Sequence, residues 1–138
     1  MKTAEDPGLK VLLVEDDEVD RMAFERYVAR EGLPYDCQFA TSVAEARGAL
    51  AARDFDVILL DLNMPKMNGI EFLRVAKSDE ALKRIPVIVL TTSKDEQDRV
   101  NTFDLGVAGY MIKPVDYLQF VEVVRAIDLY WTLSELSD

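Results

Sequence analysis

Five short apolar runs alternate along the chain with stretches of helical periodicity, and this alternation constrains the fold more than any other feature. The runs are LKVLLV (9–14), CQFA (37–40), DVILL (56–60), PVIVL (86–90) and AGYMI (108–112). The first, third and fourth are apolar almost without interruption, which is typical of parallel strands buried on both faces. The chain therefore predicts an α/β fold of five β-α units, with right-handed crossovers that place helices on both faces of one sheet.

Local signals mark where the intervening helices begin and end. The stretches 42–45 and 93–96 have the spacing of a capping box, and 116–119 is a near match. The turn at 32–34 and Gly106 are typical of the residues that close helices. Since the chain shows no repeat, low-complexity tract or linker, we expect a single domain over its 138 residues.

Composition narrows the classes of function. The formal net charge is −10, there is no histidine, and Cys37 is the one cysteine. The negative charge argues against nucleic acid or an anionic membrane as a partner. The missing histidine excludes Ser-His-Asp and Cys-His nucleophiles and the usual zinc sites. A lone cysteine excludes an intrachain disulfide and fits a reducing compartment, so we expect a cytoplasmic protein in which Cys37 is a small core residue.

Membrane insertion and secretion are also not expected from the sequence. No apolar run approaches the ~18 residues of a membrane span. The start, MKTAEDPG, is acidic and polar, unlike a signal peptide.

Polar and ionisable side chains follow four of the five predicted strands. They are Glu15 and Asp16 after the first strand, Asp61 after the third, Thr91 after the fourth and Lys113 after the fifth. Taken singly, each has an ordinary structural role as a helix cap, a strand end or a solvated lysine. Open α/β sheets, however, bind ligands beyond the carboxyl ends of their strands. The five side chains are therefore candidates for one site.

Such a site would suit phosphoryl transfer to a carboxylate. Glu15, Asp16 and Asp61 would repel one another unless a cation lay among them, and Mg²⁺ prefers such oxygen ligands. Lys113 would add a second positive charge and Thr91 a hydroxyl donor, which together suit the equatorial oxygens of a phosphoryl group. Asp61 would then be the nucleophile, and the product an aspartyl phosphate.

Four motifs occur after the expected strands and in the order found in one known family: LLVEDD, LLDLNMPKMNG, VIVLTTS and GYMIKP. On these motifs the chain resembles the receiver domain of two-component response regulators over about residues 8 to 131, with short tails that complete a single domain of residues 1–138. The resemblance implies a doubly wound, flavodoxin-like (βα)5 fold with strand order 2-1-3-4-5, in which strands one and three meet at the switch point. The tail LYWTLSEL is faintly similar to that of stand-alone regulators paired with bacterial phytochrome kinases.

The resemblance also assigns roles at the site. It implies that Asp61 is the phospho-acceptor and that Lys113 pairs with the phosphoryl group. Asp16 would bind Mg²⁺, or Mn²⁺ in its place, directly. Glu15 would help through water, and Asn63 would contribute its backbone carbonyl. Glu15 stands where aspartate is frequent in the family, a familiar variation.

Further positions carry a switch and a loop. The resemblance implies that Thr91 turns inward to the phosphoryl oxygen while Tyr110 changes its rotamer, and that Pro65 and Gly69 shape the loop after Asp61. Thr92 is larger than the alanine or glycine often found there. We expect it to narrow the access of water or a phosphatase to the phosphoryl group.

Three other functions remain open on the sequence. A haloacid-dehalogenase-type phosphatase also uses a strand-end aspartate and Mg²⁺, but it needs a second aspartate where this chain has Asn63, which cannot act as an acid. A flavodoxin-like electron carrier needs a hydroxyl-rich phosphate loop, whereas residues 15–17 are acidic and would repel the FMN phosphate. A non-catalytic α/β adaptor is the third.

Partners follow from the same family. The phosphoryl donor would be a sensor histidine kinase or a histidine phosphotransfer protein, because this chain has no histidine and cannot be the donor. About eight residues follow the last predicted helix, roughly 116–131, so the expected output is binding to a downstream protein rather than an enzymatic activity. That helix has a broad apolar arc that includes Phe120 and Trp131, with Leu118 outside it. This pattern favours a protein-binding or homodimer face on the last helix and strand.

Overall fold

A five-stranded parallel sheet forms the centre of the fold. In the computed structural model, which describes residues 9–64, 69–92, 94–95, 106–113, 118–119 and 122, the strands are β1 (Leu9–Val14), β2 (Tyr35–Ala40), β3 (Val57–Asp61), β4 (Val87–Thr91) and β5 (Gly109–Ile112). Their order is β2-β1-β3-β4-β5, and every neighbouring pair is parallel. The predicted doubly wound α/β fold and its strand order are confirmed.

Three helices lie within the described residues, each after a strand: α1 (Glu18–Arg30), α2 (Val43–Ala52) and α3 (Gly69–Ser78). Among the described helices, none combines the length and apolar composition needed to cross a membrane. Several sequence expectations fall wholly or largely outside the described part of the chain: the capping stretches 93–96 and 116–119, Pro65, and the last helix with Phe120 and Trp131.

The capping box predicted before α2 is present in a modified form. The Ser42 hydroxyl accepts a hydrogen bond from the Glu45 backbone N–H over 3.1 Å, as predicted. The Glu45 carboxylate reaches one residue further back than a capping box requires, and accepts the Thr41 N–H at 2.8 Å. This hydrogen bonding with Thr41 lowers the pKa of Glu45. Gly32 and Gly106, predicted to close helices, have φ angles of 61° and 63°, which glycine adopts without strain.

Both faces of the sheet are buried, which explains why the central strands are apolar without alternation. Every residue of β3 and β4 is buried. Alternate side chains divide between two core clusters, one on the α2 and α3 face and one on the α1 face. The first contains Leu12, Val14, Ile58, Leu60 and Phe72, and the second contains Val11, Leu13, Phe24, Leu59 and Met111. Because successive strand residues point to opposite faces, both sets must be apolar.

Truncation of a central core side chain should destabilise the fold strongly. We expect Leu60→Ala to lower the free energy of unfolding by about 2–5 kcal/mol, since Leu60 is fully buried and the cavity cannot be filled by water. Urea unfolding followed by far-ultraviolet circular dichroism measures the loss. The matched control, Val75→Ala on α3, removes a side chain that is 38% exposed and should change stability by less than about 1 kcal/mol. Equal losses for the two variants would contradict this account of the core.

Strand β2 lies at one edge of the sheet and differs from its prediction in two respects. It begins at Tyr35 rather than Cys37, and Cys37 is half-buried rather than part of the fully buried core. The reason is positional: an edge strand has a neighbour on one side only, so its side chains are less completely covered. Burial nevertheless raises the pKa of the Cys37 thiol to about 12, and the nearby charges of Asp36 and Glu25 add to the shift.

The raised pKa predicts slow alkylation of Cys37. Only the thiolate reacts, so the rate with iodoacetamide should increase about tenfold per pH unit between about pH 8 and pH 10, without a plateau. The same thiol in urea should react much faster at about pH 8, because unfolding returns the pKa to its ordinary value of 9.0. Mass spectrometry of quenched aliquots gives both rates. Levelling of the native rate near pH 9 would contradict the shift.

Candidate functional site

Three carboxylates meet at the carboxyl edge of the sheet. Glu15 and Asp16 follow β1, Asp61 is the last residue of β3, and one oxygen of each lies within 4.8 Å of the others. β1 and β3 are neighbours, so the strand order itself brings these residues together. Glu15 is only 1% exposed and Asp61 2%, whereas Asp16 is open to solvent. Two of the three carboxyl groups are therefore held out of water.

The ammonium group of Lys113 contacts this cluster from the β5 side of the sheet. Lys113 directly follows β5, and its Nζ is 2.9 Å from Asp61 Oδ2 and 3.3 Å from Glu15 Oε1. Burial alone would lower the pKa of Lys113, but its hydrogen bond with Asp61 and the charges of Asp61 and Glu15 outweigh burial and raise that pKa. Lys113 is thus a permanent cation at the site.

A fourth carboxylate at the site, Asp20, was not singled out by the sequence. Its Oδ2 lies 3.6 Å from Lys113 Nζ. Asp20 is in the first turn of α1, where Asp17 caps the helix and accepts the Asp20 N–H at 3.1 Å. Acidic residues are favoured at that position by the helix dipole alone, so nothing in the pattern marked Asp20 as different. To predict the contact between Asp20 and Lys113, one would need the direction in which α1 leaves the sheet, which the sequence pattern does not give.

The electrostatics of the cluster favour a further cation. Burial, then hydrogen bonding with Asp61 and Asp20 and the charge of Asp61, raise the pKa of Glu15 to about 9, against the opposing effect of Lys113. One ammonium therefore does not offset the two buried carboxylates. Glu15 Oε2 is buried and accepts no hydrogen bond from any residue that the structure describes. A buried carboxylate oxygen of this kind, beside Asp16 and Asp61, fits a hard divalent cation such as Mg²⁺ or Mn²⁺.

The Asp61 carboxylate is held at both of its oxygens. Oδ1 accepts the backbone N–H of Asn63 at 2.8 Å, and Oδ2 contacts Lys113. β3 ends at Asp61 itself, one residue later than the predicted run, so the Asp61 carboxylate belongs to the central sheet and not to the loop. The side chain is therefore oriented before any ligand arrives, which suits a nucleophile.

Thr91 and Lys113 are joined through the backbone. Thr91 is the last residue of β4 and fully buried, and its carbonyl accepts the Lys113 N–H at 2.8 Å. Tyr110 lies in β5 opposite Val89 and is half-buried, and this burial raises the pKa of its phenol. Thr92 is exposed beside the site. Of the loop-shaping pair, Gly69 is the buried first residue of α3.

The sequence of the chain matches that of a known protein family over most of its length. The model of the response regulator receiver domain family matches residues 11–125. The response regulator Rcp1 of Synechocystis is 31% identical in an alignment 144 positions long that covers 95% of this chain and 94% of Rcp1. The probable transcriptional regulator ycf29 of Pyropia yezoensis is 34% identical over 128 residues, which are 93% of this chain but only 57% of that protein.

A solved structure extends the similarity to three dimensions. The phosphorylated cyanobacterial phytochrome response regulator RcpA superposes with a TM-score of 0.71 at 36% identity, over 91% of this chain and 94% of RcpA. The motifs that carry the acidic cluster, Thr91 and Lys113 all lie within residues 11–125, so the matched region includes the whole site.

Proposed function

The chain belongs to the family of response regulator receiver domains, and we propose from this that Asp61 accepts a phosphoryl group from a sensor histidine kinase or a histidine phosphotransfer protein. Receiver domains act in two-component signalling and are in general signalling domains rather than enzymes. One observation carries the assignment to Asp61: a buried carboxylate whose Oδ2 lies 2.9 Å from the ammonium of Lys113, inside a cluster of acids. That arrangement suits a role for Asp61 as the acceptor of an anionic group better than a role for Asp61 and Lys113 as a purely structural ion pair.

A divalent cation belongs to the proposal. Glu15, Asp16 and Asp61, with the backbone carbonyl of Asn63, would hold Mg²⁺ or Mn²⁺, which supplies positive charge to the oxygens of the phosphoryl group. The support comes from the donor set, which consists of carboxylates, and from the buried Glu15 Oε2 that accepts no hydrogen bond from the described residues.

The chain's own side chains would supply the rest of the chemistry of phosphoryl transfer. A carboxylate oxygen of Asp61 forms a bond to phosphorus while the bond from phosphorus to the donor imidazole nitrogen breaks, and the released imidazole takes a proton from solvent. Asn63 holds one oxygen of Asp61 through its N–H, which limits rotation of the nucleophile. Lys113 and the Thr91 hydroxyl would bind oxygens of the transferred group.

The signal would be a change in protein binding. The phosphoryl group favours a state in which Thr91 and Tyr110 turn inward, and this population shift alters the surface near β5. Residues 1–138 act in this proposal as one receiver domain. By itself, the chain would carry out only two reactions. It would be phosphorylated by a small phosphoryl compound, and it would slowly lose the phosphoryl group.

Similarity to the phytochrome regulator RcpA favours a phytochrome-type sensor kinase as the donor. The lone cysteine, which excludes an intrachain disulfide, favours a cytoplasmic site of action. A downstream protein, or a second copy of the chain, would bind through the last helix and β5. Exposed apolar side chains support this surface, since Ile112 at the end of β5 is 45% exposed and Leu118 is 60% exposed.

Incubation with acetyl phosphate and Mg²⁺ tests the function directly. We expect intact-mass spectrometry to show one added phosphoryl group that is released by mild base, and none when the divalent cation is chelated. Borohydride reduction followed by peptide mapping should place the group on Asp61. A stable phosphoester on a serine or threonine, or steady turnover of a generic phosphate ester, would overturn the proposal. The second result would point to the phosphatase that Asn63 argues against.

The lifetime of the phosphoryl group should depend on Thr92. Its exposed side chain stands beside the site, so we expect Thr92→Ala to admit water more freely and to hasten loss of the group severalfold. The decay of phosphorylated protein, separated from acetyl phosphate, gives the rate by intact mass. Ser78→Ala removes a hydroxyl at the end of α3 and serves as the control. An equal or longer lifetime in Thr92→Ala would refute the shielding role.

A further inference from the structure

An open groove lies on the face of the sheet opposite to α2, where α1 meets the edge strand β2. Its volume is about 440 Å³. Its lining is apolar and aromatic apart from one carboxylate, and includes Glu25, Val28, Leu33, Tyr35, Cys37 and Phe39. Tyr35, Cys37 and Phe39 are alternate residues of β2, so their side chains point to the same face and form one wall of the groove. The site around Asp61 contributes nothing to this lining.

The backbone of the same alternate residues faces away from the sheet. β1 is the sole described neighbour of β2, and its contacts begin with Leu9 N–H to Pro34 O at 3.0 Å and end with Glu15 N–H to Ala40 O at 2.9 Å. Peptide groups along a strand point alternately to its two sides. Since the even-numbered residues bond to β1, the peptide groups of Cys37 and Phe39 point outward at the edge. β2 can therefore accept another strand beside the groove.

The two faces of β2 are protected unequally. On the α2 side, Arg53 covers the strand, with its guanidinium 2.6 Å from Asp36 and 3.5 Å from Gln38. Such charged side chains commonly block unwanted pairing at a sheet edge. On the α1 side, the side chains beside the edge are the half-buried Cys37 and Phe39. An added strand would thus place its apolar side chains in the groove and its polar ones near Arg53.

The charge of the groove indicates which kind of partner could bind there. Glu25 is the one acidic residue among those that line the groove. The negative charge of the groove comes from Glu25, because the charge of Asp36, which also lies near the Cys37 thiol, is paired with Arg53. The chain as a whole carries −10, which favours a basic partner at this surface.

We propose that the outer edge of β2 and the groove beside it form a docking site for an extended segment of a partner protein, which adds as a strand, inserts alternate apolar side chains between α1 and β2, and places a basic side chain at Glu25. This surface lies apart from the acidic cluster and from β5. It would therefore serve recognition of a partner and not phosphoryl transfer.

A synthetic peptide tests the proposal with the intact chain. The probe is acetyl-TVTFTVTK-amide, whose alternate residues on one face are Val, Phe, Val and Lys. In titrations of the uniformly ¹⁵N-labelled protein, we expect the largest amide shift changes at Cys37 and Phe39, with slower hydrogen exchange at both. Two further peptides carry N-methyl groups on the odd or on the even residues. Since an added strand pairs along one of its edges, one of these two should lose binding and the other should keep it.

Charge is tested with matched variants. Glu25→Gln should weaken peptide binding about two- to fivefold at low salt, as expected for an exposed ion pair, whereas Glu80→Gln, which removes an exposed charge on another surface, should not. Replacement of the peptide's lysine by glutamate should weaken binding to the wild type. Three results would each overturn the proposal. One is that the peptide changes the amide shifts only in the region of Asp61. Another is that both N-methylated peptides bind equally well. The third is concentration-dependent shifts of β2 without peptide, which would show that a second copy occupies the edge.

Discussion

Replacement of Asp61 by asparagine is expected to abolish phosphorylation by acetyl phosphate and Mg²⁺. The amide has no anionic oxygen to attack phosphorus, and it also removes one oxygen from the acidic cluster. The fold should persist, because the Asn63 N–H can donate to the amide oxygen as it does to the carboxylate. Intact-mass spectrometry before and after treatment with acetyl phosphate measures the effect, with circular dichroism as the check on folding.

The matched control for this variant is Asp54→Asn, which changes an exposed carboxylate in the turn before β3. It should be phosphorylated as fast and as completely as the wild type. A base-labile phosphoryl group that persists in Asp61→Asn would move the acceptor to another residue. Phosphorylation that fails in both variants would mean that net charge, rather than the Asp61 carboxylate, governs the reaction.

Removal of the Lys113 ammonium should be nearly as damaging to the reaction while leaving the acceptor in place. We expect Lys113→Met to lower the rate of phosphorylation about a hundredfold, since a preorganised cation 2.9 Å from Asp61 Oδ2 is lost where negative charge develops. Some product should still form, because Asp61 and the carboxylates for the divalent cation remain. The initial rate at fixed acetyl phosphate and Mg²⁺ concentrations is the measurement.

A second effect of Lys113→Met concerns stability. The buried Asp61 carboxylate loses its paired ammonium, so the free energy of unfolding should fall by about 3 kcal/mol at neutral pH without divalent cations. Lys83→Met is the control: Lys83 pairs with Glu80 at 2.8 Å on the surface, and its loss should change stability by less than about 1 kcal/mol. If the Lys113→Met protein were phosphorylated at the wild-type rate, Lys113 would not belong to the proposed site.

The sequence was sufficient to locate the central strands, because burial on both faces gives each of them a nearly continuous apolar run. The unbroken apolar runs at 9–14, 56–60 and 86–90 correspond to strands within one residue at each end. The edge strand β2 was placed less well and begins at Tyr35, not Cys37. A strand covered on one side only carries mixed side chains such as Asp36 and Gln38, so its start has no sharp hydrophobic boundary.

The acidic cluster followed from topology, since residues after neighbouring parallel strands must share one edge. What the sequence lacked was the path of helices relative to strands. Asp20 Oδ2 lies 3.6 Å from Lys113 Nζ, a tertiary contact between residues 93 positions apart. Likewise, Glu45 matched a capping box by spacing, yet its carboxylate rotamer reaches Thr41. Spacing defines which groups are near each other, and rotamers decide which of them bond.

The position of Asp61 in the middle of the sheet has a mechanical consequence. Strands β1 and β2 lie to one side of it and β4 and β5 to the other. The two residues proposed to bind the phosphoryl group, Thr91 and Lys113, both belong to the β4–β5 side, and the Lys113 N–H donates a hydrogen bond to the Thr91 carbonyl. No described residue of β2 takes part in this link between β4 and β5. We therefore expect a partner held at β2 to remain attached whichever state β4 and β5 adopt.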